Sequence, residues 1–254
     1  MYSERRRSTE AGKPVGKIRL NKYLAECGVC SRREADRLME MGEVTVNDEP
    51  ATPGTMVTGQ EKIKVRDKIV RGVDNKVVVA WYKPVGVTCT ARDAHADITV
   101  EEAFHYPIHL TYAGRLDRDS EGLLLMTNDG DLIEAMMRGS NAHEKEYVVR
   151  TRTKIADHAL TEMQKGVYLK DLETKTRPAK IHRLGDYSFD IVLTQGLNRQ
   201  IRRMCRVFGY EVKTLKRVRV MNITLKGLKP GMQREIRGEE LKDLYRLAGL
   251  APHE

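Results

Sequence analysis

Hydrophobic and polar positions follow two different periods along this chain, and the change of period divides it. Leu20, Tyr23 and Leu24 share one face of a short helix over 18–26, which Gly28 stops. Ser31 stands three residues before Glu34, the spacing of a capping box, and opens a second helix that runs to about Met41 and ends at Gly42. Over 43–47 the period becomes two, with Val44 and Val46 on one side of a strand, and Asp48-Glu49-Pro50 reads as a turn. Val57 and 63–65 complete a small sheet, so 17–65 predicts a compact helix–helix–strand module. Residues 1–16 mix charge, Gly, Pro and Ser and read as a disordered basic tail, and the polar stretch 66–75 reads as a linker.

From residue 76 the pattern becomes short strands separated by longer helices. Strands are predicted over 77–82, 122–127, 145–150, 189–193 and 212–221, and helices over 99–104, 131–138, 155–165, 199–208 and 238–248. Strands and helices do not alternate strictly. Residues 76–254 therefore predict an α+β domain with a mixed, largely antiparallel sheet flanked by helices rather than a doubly wound one. There is no internal repeat.

The helix over 199–208 carries the most informative pattern. Ile201, Met204, Cys205 and Phe208 fall on one face, while Arg199, Arg202, Arg203 and Arg206 repeat the same spacing on the other. Glu211 is the only acid between Arg199 and Arg219, so this is not the usual solvated face with Glu interleaved at i,i+4. Phosphate contact is the expected use. Arg202 lies nearest the apolar stripe and is the arginine expected to be partly buried, which requires an anionic partner.

Composition supports a polyanionic partner without proving one. Lys and Arg number 45 against 36 Asp and Glu, a formal charge of +9. No apolar run approaches the ~20 residues of a membrane span. The N-terminus carries Arg5, Arg6 and Arg7 but no apolar core of a signal peptide, so a cytoplasmic location is expected. Cys27-Gly-Val-Cys30 has the spacing of a zinc half-site, but Cys89 and Cys205 are isolated and no second pair exists, so no metal is expected. Neither phosphate-binding glycine motif occurs, and no nucleotide cofactor is expected.

The segment 113–131, AGRLDRDSEGLLLMTNDGD, supplies the candidate partner for Arg202. Its acids leave several readings open. The opening Asp117-Arg-Asp119-Ser-Glu121-Gly122 has the look of a calcium loop, but Asn128 stands where the bidentate Glu belongs. Asp117, Asp119 and Glu121 could include a glycosidase pair, or one Asp could act alone with the others solvated.

Gly114-Arg115-Leu116-Asp117, followed by Ser120, Gly122 and Leu123, resembles the catalytic-aspartate motif of RNA pseudouridine synthases. His143-Glu144-Lys145-Glu146-Tyr147 resembles their Lys-x-Tyr segment, and the run from Leu193 through Gln195-Gly196 to Arg202 resembles their third motif. RLNKYLAECGVCSRREADRLMEMGEVTVND is similar to an S4 RNA-binding domain. That order is the one found in the RsuA/RluB/RluE/RluF family of bacterial ribosomal-RNA synthases, with QGLNRQIRRMC and HEKEYVV most like the RluF branch, and the resemblance covers about 18–245.

The resemblance implies an isomerase that converts a uridine of ribosomal RNA, 23S in particular, to pseudouridine, with a transfer RNA as a second candidate substrate. It implies that Asp117 attacks the uracil ring or ribose C1′, that Tyr147 stacks on the base and takes part in proton transfer at C5, and that Arg202 pairs with Asp117. RNA contacts are expected from Arg115, Lys145, Arg199, Gln200, Arg203 and Arg206 near the pocket, and from Arg19, Lys22, Arg32, Arg33 and Arg37 in the S4-like module. No cofactor is consumed, and a monomer is expected. The alternative is a non-catalytic RNA-binding or assembly protein on the same scaffold.

Overall fold

A computed structural model describes residues 16–70, 76–89 and 98–251. The tail expected over 1–16 lies outside the described residues except for Gly16, as does 71–75 of the expected linker. Contacts divide the chain into two units, residues 1–74 and 75–254.

The first unit contains β1 (Ile18–Arg19), α1 (Leu20–Glu26), α2 (Arg32–Glu40), β2 (Val44–Val46), β3 (Glu49–Pro50), β4 (Met56–Val57), β5 (Ile63–Val65) and β6 (Lys68–Ile69). The first helix starts two residues later than the periodicity predicts, because Ile18 and Arg19 pair with Val57 and Met56 instead. The Ser31 hydroxyl accepts the Glu34 amide at 3.2 Å, so the predicted cap forms. Asn21, buried on α1, donates to both carboxylate oxygens of Asp36 on α2 at 2.9 and 3.0 Å. Leu20, Leu24, Leu38, Val44, Val57 and Ile63 form the core beneath a sheet ordered β3-β2-β5-β6.

The second unit contains β7 (Val78–Lys83), β8 (Val87–Thr88), β9 (Ile98–Thr99), α3 (Val100–Ala103), β10 (Thr111–Ala113), β11 (Glu121–Thr127), α4 (Gly130–Met137), β12 (Lys145–Thr151) and α5 (Asp157–Gln164). It continues through β13 (Tyr168–Leu169), β14 (Thr174–Lys175), β15 (Lys180–Gly185), β16 (Ser188–Leu193), α6 (Gln200–Val207), β17 (Val212–Val220), β18 (Ile223–Thr224), β19 (Gln233–Glu235) and α7 (Gly238–Leu247). The main sheet has nine strands along the order β15-β16-β12-β17-β11-β7-β19, with β10 beside β11 and β18 beside β17. Within it only β11 and β17 run parallel, over the two pairs Glu121–Lys216 and Gly122–Arg217. The mixed, largely antiparallel α+β reading therefore describes it.

Register arranges three cores around this sheet. Val79, Trp81, Leu124 and Met126 pack with Phe104 and Leu110 at one end of a face. Val149, Phe189, Ile191 and Leu215 pack with Ile201, Met204 and Cys205 of α6 and with α5 at the other. Val78, Ala80, Leu123 and Leu125 meet α4 and α7 in a third cluster. Strand neighbours share a face, so Tyr147, Arg217, Gly122 and Lys83, paired in succession across β12, β17, β11 and β7, form one row. That row is polar and separates the first two cores.

Gly122 is the tight point of the row. Its φ is +113°, and a Cβ there would stand 2.3 Å from the Arg217 carbonyl oxygen and 2.7 Å from its nitrogen. Only glycine allows β11 and β17 this approach.

A second buried contact ties the last helix to the sheet. The Asp129 carboxylate caps α4, accepting the amides of Asp131 at 3.0 Å and Leu132 at 3.3 Å, and it accepts the Tyr245 hydroxyl of α7 at 2.7 Å. Burial pushes this carboxyl up, but the tyrosine hydrogen bond and the helix amides outweigh it and hold it below the usual range. Asp129→Ala removes the cap and strands a buried hydroxyl, so it should cost about 2–4 kcal/mol in urea unfolding, with Asp129→Asn costing less. A midpoint unchanged in Asp129→Ala would show that the contact contributes nothing.

Candidate active site

The loop between β10 and β11 carries the acidic motif. Gly114 turns the chain at φ +90°, and the Ser120 amide donates to the Asp117 carbonyl at 3.1 Å, closing a turn that presents Asp117 and Asp119. Ser120 itself is buried and Leu116 points into the interior, so the acids flank buried anchors. Asp117 is one-third exposed.

Arg199 stands 3.7 Å from Asp117. Arg199 also grips Asp119 with two parallel hydrogen bonds of 3.0 and 2.8 Å. It does so from a left-handed backbone, φ +48°, at the residue that opens α6. Arg202 does not pair with Asp117 as expected. Its side chain is only 11 % exposed, its Nε lies 3.3 Å from Asp119 Oδ2, and it donates to the carbonyls of Asp119 at 2.8 Å and Val212 at 3.2 Å. It is partly buried and faces an acid of the motif, but one two residues further on. The Arg199 hydrogen bond, followed by the charge of Arg202, holds the Asp119 carboxyl below the usual range. Burial lowers Arg202 from its ordinary value.

The other members of the arginine stripe are also engaged. Arg203 pairs with Asp171 and donates to Asn198, both distant from it in sequence or outside the helix, so it is not the free phosphate ligand expected. Arg206 is exposed, and among the described residues no carboxylate lies within 4 Å of it. Gln200 is buried and accepts the Leu197 amide at 3.1 Å, so it organises the helix start instead of facing solvent. Arg115 is exposed beside Asp117. In the first unit Arg19, Arg32 and Arg33 are exposed, whereas Arg37 is forked on Glu34 at 2.9 and 2.6 Å and Lys22 lies 3.6 Å from Glu26.

Beneath the loop lies the polar row of the sheet. Tyr147 packs against the α6 core, and no hydrogen bond among the described residues uses its hydroxyl. Lys145 precedes it on the same strand; burial, then the nearby Arg217 charge, lowers its ammonium from the ordinary value. Two residues of the row were not marked by motif. Lys83 is fully buried, with Nζ donating to the carbonyls of Pro84 at 2.9 Å and Val87 at 2.8 Å. Burial pushes it down to about 8, while the charges of Asp117 and Asp119 act the other way. Arg217 is 2 % exposed and donates to the carbonyls of Leu123 at 2.7 Å and Arg115 at 3.3 Å. Lysine and arginine on a strand read as solvent-facing until register places them opposite glycine. The arrangement brings an aromatic ring, a partly exposed carboxylate and buried cations into one region, and such cations can stabilise developing negative charge.

Residues 77–206 match the family model of RNA pseudouridylate synthases, and residues 18–63 match the S4 domain. The chain is 43% identical over 240 residues to the dual-specificity RNA pseudouridine synthase RluF of Escherichia coli O157:H7, covering 92% of this chain and 80% of that protein. It is 36% identical over 244 residues to the ribosomal large subunit pseudouridine synthase B of Bacillus subtilis, covering 92% and 97% respectively. A crystal structure of a pseudouridylate synthase superimposes with a TM-score of 0.65 at 26% identity, over 89% of this chain and 99% of that one.

The depressed Lys83 makes a pH prediction. Between pH 8 and 10.5 the unfolded chain holds this proton and the folded chain does not, so stability rises with pH across that window. Relative to Lys83→Met, whose unfolding lacks this linkage, the native protein should gain no more than about 3 kcal/mol there. A difference that is flat from pH 8 to 10.5 would place the charged ammonium at no disadvantage in the fold.

Proposed function

Because the chain belongs to the RNA pseudouridine synthases, isomerases that convert uridine in RNA to pseudouridine, we propose that Asp117 is its catalytic aspartate and ribosomal RNA its substrate. The observation that carries this reading is one partly exposed carboxylate, 3.7 Å from a guanidinium, on a loop above a row that contains Tyr147 and two buried cations. The N1–C1′ bond breaks, the uracil turns, and C5 bonds to C1′; C5 loses a proton and N1 gains one, so nothing is consumed. Asp117 either attacks C1′, expelling N1, and is displaced when C5 bonds there, or adds to the uracil ring and leaves by elimination as C5 loses its proton. Tyr147 stacks on the base and takes part in the proton transfer at C5. Arg199 orients Asp117, and Arg202 acts through Asp119 as a positioning residue.

The target uridine must leave its stack, at a cost of a few kcal/mol. Contacts between exposed cations and RNA phosphates offset that cost. Arg115 and Arg206 suit this role in the second unit, and Arg19, Arg32 and Arg33 in the first, because no carboxylate of the described residues occupies them. Large-subunit RNA is the favoured target, supported by the name of the Bacillus subtilis relative; the dual-specificity relative fits a second RNA substrate, for which a transfer RNA is our candidate. We read the protein as a monomer that acts in the cytoplasm, where its four free, buried thiols stay reduced.

Asp117→Asn should abolish isomerisation while leaving RNA affinity unchanged. Carbodiimide mapping of pseudouridine in ribosomal RNA transcripts reads the first, and filter binding the second; turnover above trace level would remove Asp117 from its role. Arg206→Ala should weaken binding evenly across sequences and lower the salt slope by about one unit. Arg203→Ala, already paired with Asp171, should change the slope less. A wild-type slope for Arg206→Ala would refute its phosphate contact.

A further inference from the structure

Arg217 is a buried cation with no acid of its own. It is 2 % exposed, no carboxylate lies within 4 Å of it among the described residues, and its Nη2 is buried without a hydrogen-bond partner. Lys83 and Lys145 both feel its charge. A guanidinium held this way is expensive, and an apolar side chain of similar volume is often no less stable at such a site. Something other than stability has to account for it.

Its two hydrogen bonds indicate what. One edge of β11 is shared: β17 pairs at Glu121 and Gly122, and β10 pairs from Leu125 to Thr127. Leu123 lies between the two partners. Its cross-strand neighbour Tyr82 uses its amide and carbonyl on Met232 and Gly231, so the Leu123 carbonyl faces the edge where neither strand receives it. Arg217 Nε takes that carbonyl at 2.7 Å, and Nη1 takes the Arg115 carbonyl at 3.3 Å. Arg115 is two residues before Asp117, and Leu123 follows the loop's far end. One guanidinium therefore spans both ends of the loop. On its own strand the same residue faces Tyr147, its partner across β12 and β17.

We propose that Arg217 is a positioning residue for the isomerisation: its fork clamps both ends of the Asp117 loop and sets where the carboxylate stands relative to Tyr147. This rests on the reading of Asp117 as the reacting carboxylate. Asp117 is held from above by Arg199 and from below, through the backbone, by Arg217. Arg199 neutralises charge, whereas Arg217 fixes distance.

The test compares Arg217→Met and Arg217→Lys with the native chain and Asp117→Asn. The RNA is total ribosomal RNA from cells lacking the gene; single-turnover rate, RNA affinity and melting temperature are measured together. Arg217→Met should melt within about 5 °C of native and bind RNA as tightly, yet react roughly 100-fold more slowly, the size of loss that follows an ångström of misplacement. Arg217→Lys keeps the charge but reaches one carbonyl only, and should fall about 10-fold by the same argument. If Arg217→Met does not fold, Arg217→Lys carries the test alone. A native rate in either folded variant overturns the proposal, as does a loss of rate matched by loss of RNA affinity or of folded protein. Turnover by Asp117→Asn would instead overturn the Asp117 reading. An inactive Asp117→Asn beside fully active Arg217 variants would sink the present inference alone.

Discussion

Everything in the second unit is organised around the close approach of β11 and β17 at Gly122 and Arg217. The parallel contact lasts two residue pairs, yet it joins the β15-β16-β12-β17 half of the sheet to the β11-β7-β19 half. A side chain at residue 122 would meet backbone at 2.3 Å and force the halves apart. Because the residue is glycine, the row carries no side chain between Lys83 and Arg217. Hydrogen in place of carbon at this residue is what lets the two halves close. The loop bearing Asp117 enters β11 at this point, so its foot stands on tightly constrained backbone.

Charge is distributed in two layers. Above the row, the acids of the loop are met by the first turn of α6: Arg199 by Asp119 and Asp117, Arg202 by Asp119. Below it, Lys83, Lys145 and Arg217 have no carboxylate within 4 Å among the described residues. The upper layer is an ion-pair network near solvent that orders a turn. The lower layer is an excess of buried positive charge whose hydrogen bonds go to backbone carbonyls. These are different uses of the same residue types, separated by a few ångströms.

Much of this was legible in the residues and some was not, for reasons that differ by residue. The apolar face of α6 follows from 3.6-residue periodicity, and Ile201, Met204 and Cys205 are buried as the spacing requires. Buried strands such as Val78–Lys83 and Glu121–Thr127 announce themselves by continuous apolar runs. The edge strand Lys180–Gly185 does not, because exposure leaves KIHRLG with no alternation to read. The arginine stripe lacks acids at i±3 and i±4, and this absence argues for phosphate; Asp119 and Asp171 answer it from 80 and 32 positions away along the chain, distances that no helical wheel contains. The expectation that Arg202 needs an acid holds, while which acid depends on a loop conformation set by Gly114 and Ser120. Lys83 and Arg217 escape notice because a cation on a strand looks solvated until register sets it opposite a glycine.

That last case has a thermodynamic side. A chain selected for stability alone would replace a fully buried lysine and a nearly buried arginine by apolar residues, since neither gains an ion pair for the hydration it gives up. Local rules of this kind are broken chiefly where function requires it, and the cost is carried by the surrounding cores. Here the two cores flanking the row, one around Trp81 and Leu124, the other around Val149 and Ile201, are built of apolar residues. They hold two cations where water is scarce and electrostatic forces are correspondingly strong. If Asp117 acts as proposed, a uracil that gains negative charge as its glycosidic bond weakens would find that field already oriented. The stability forgone in the resting fold and the stabilisation available during reaction then have the same physical origin, the burial of uncompensated positive charge beneath the aspartate.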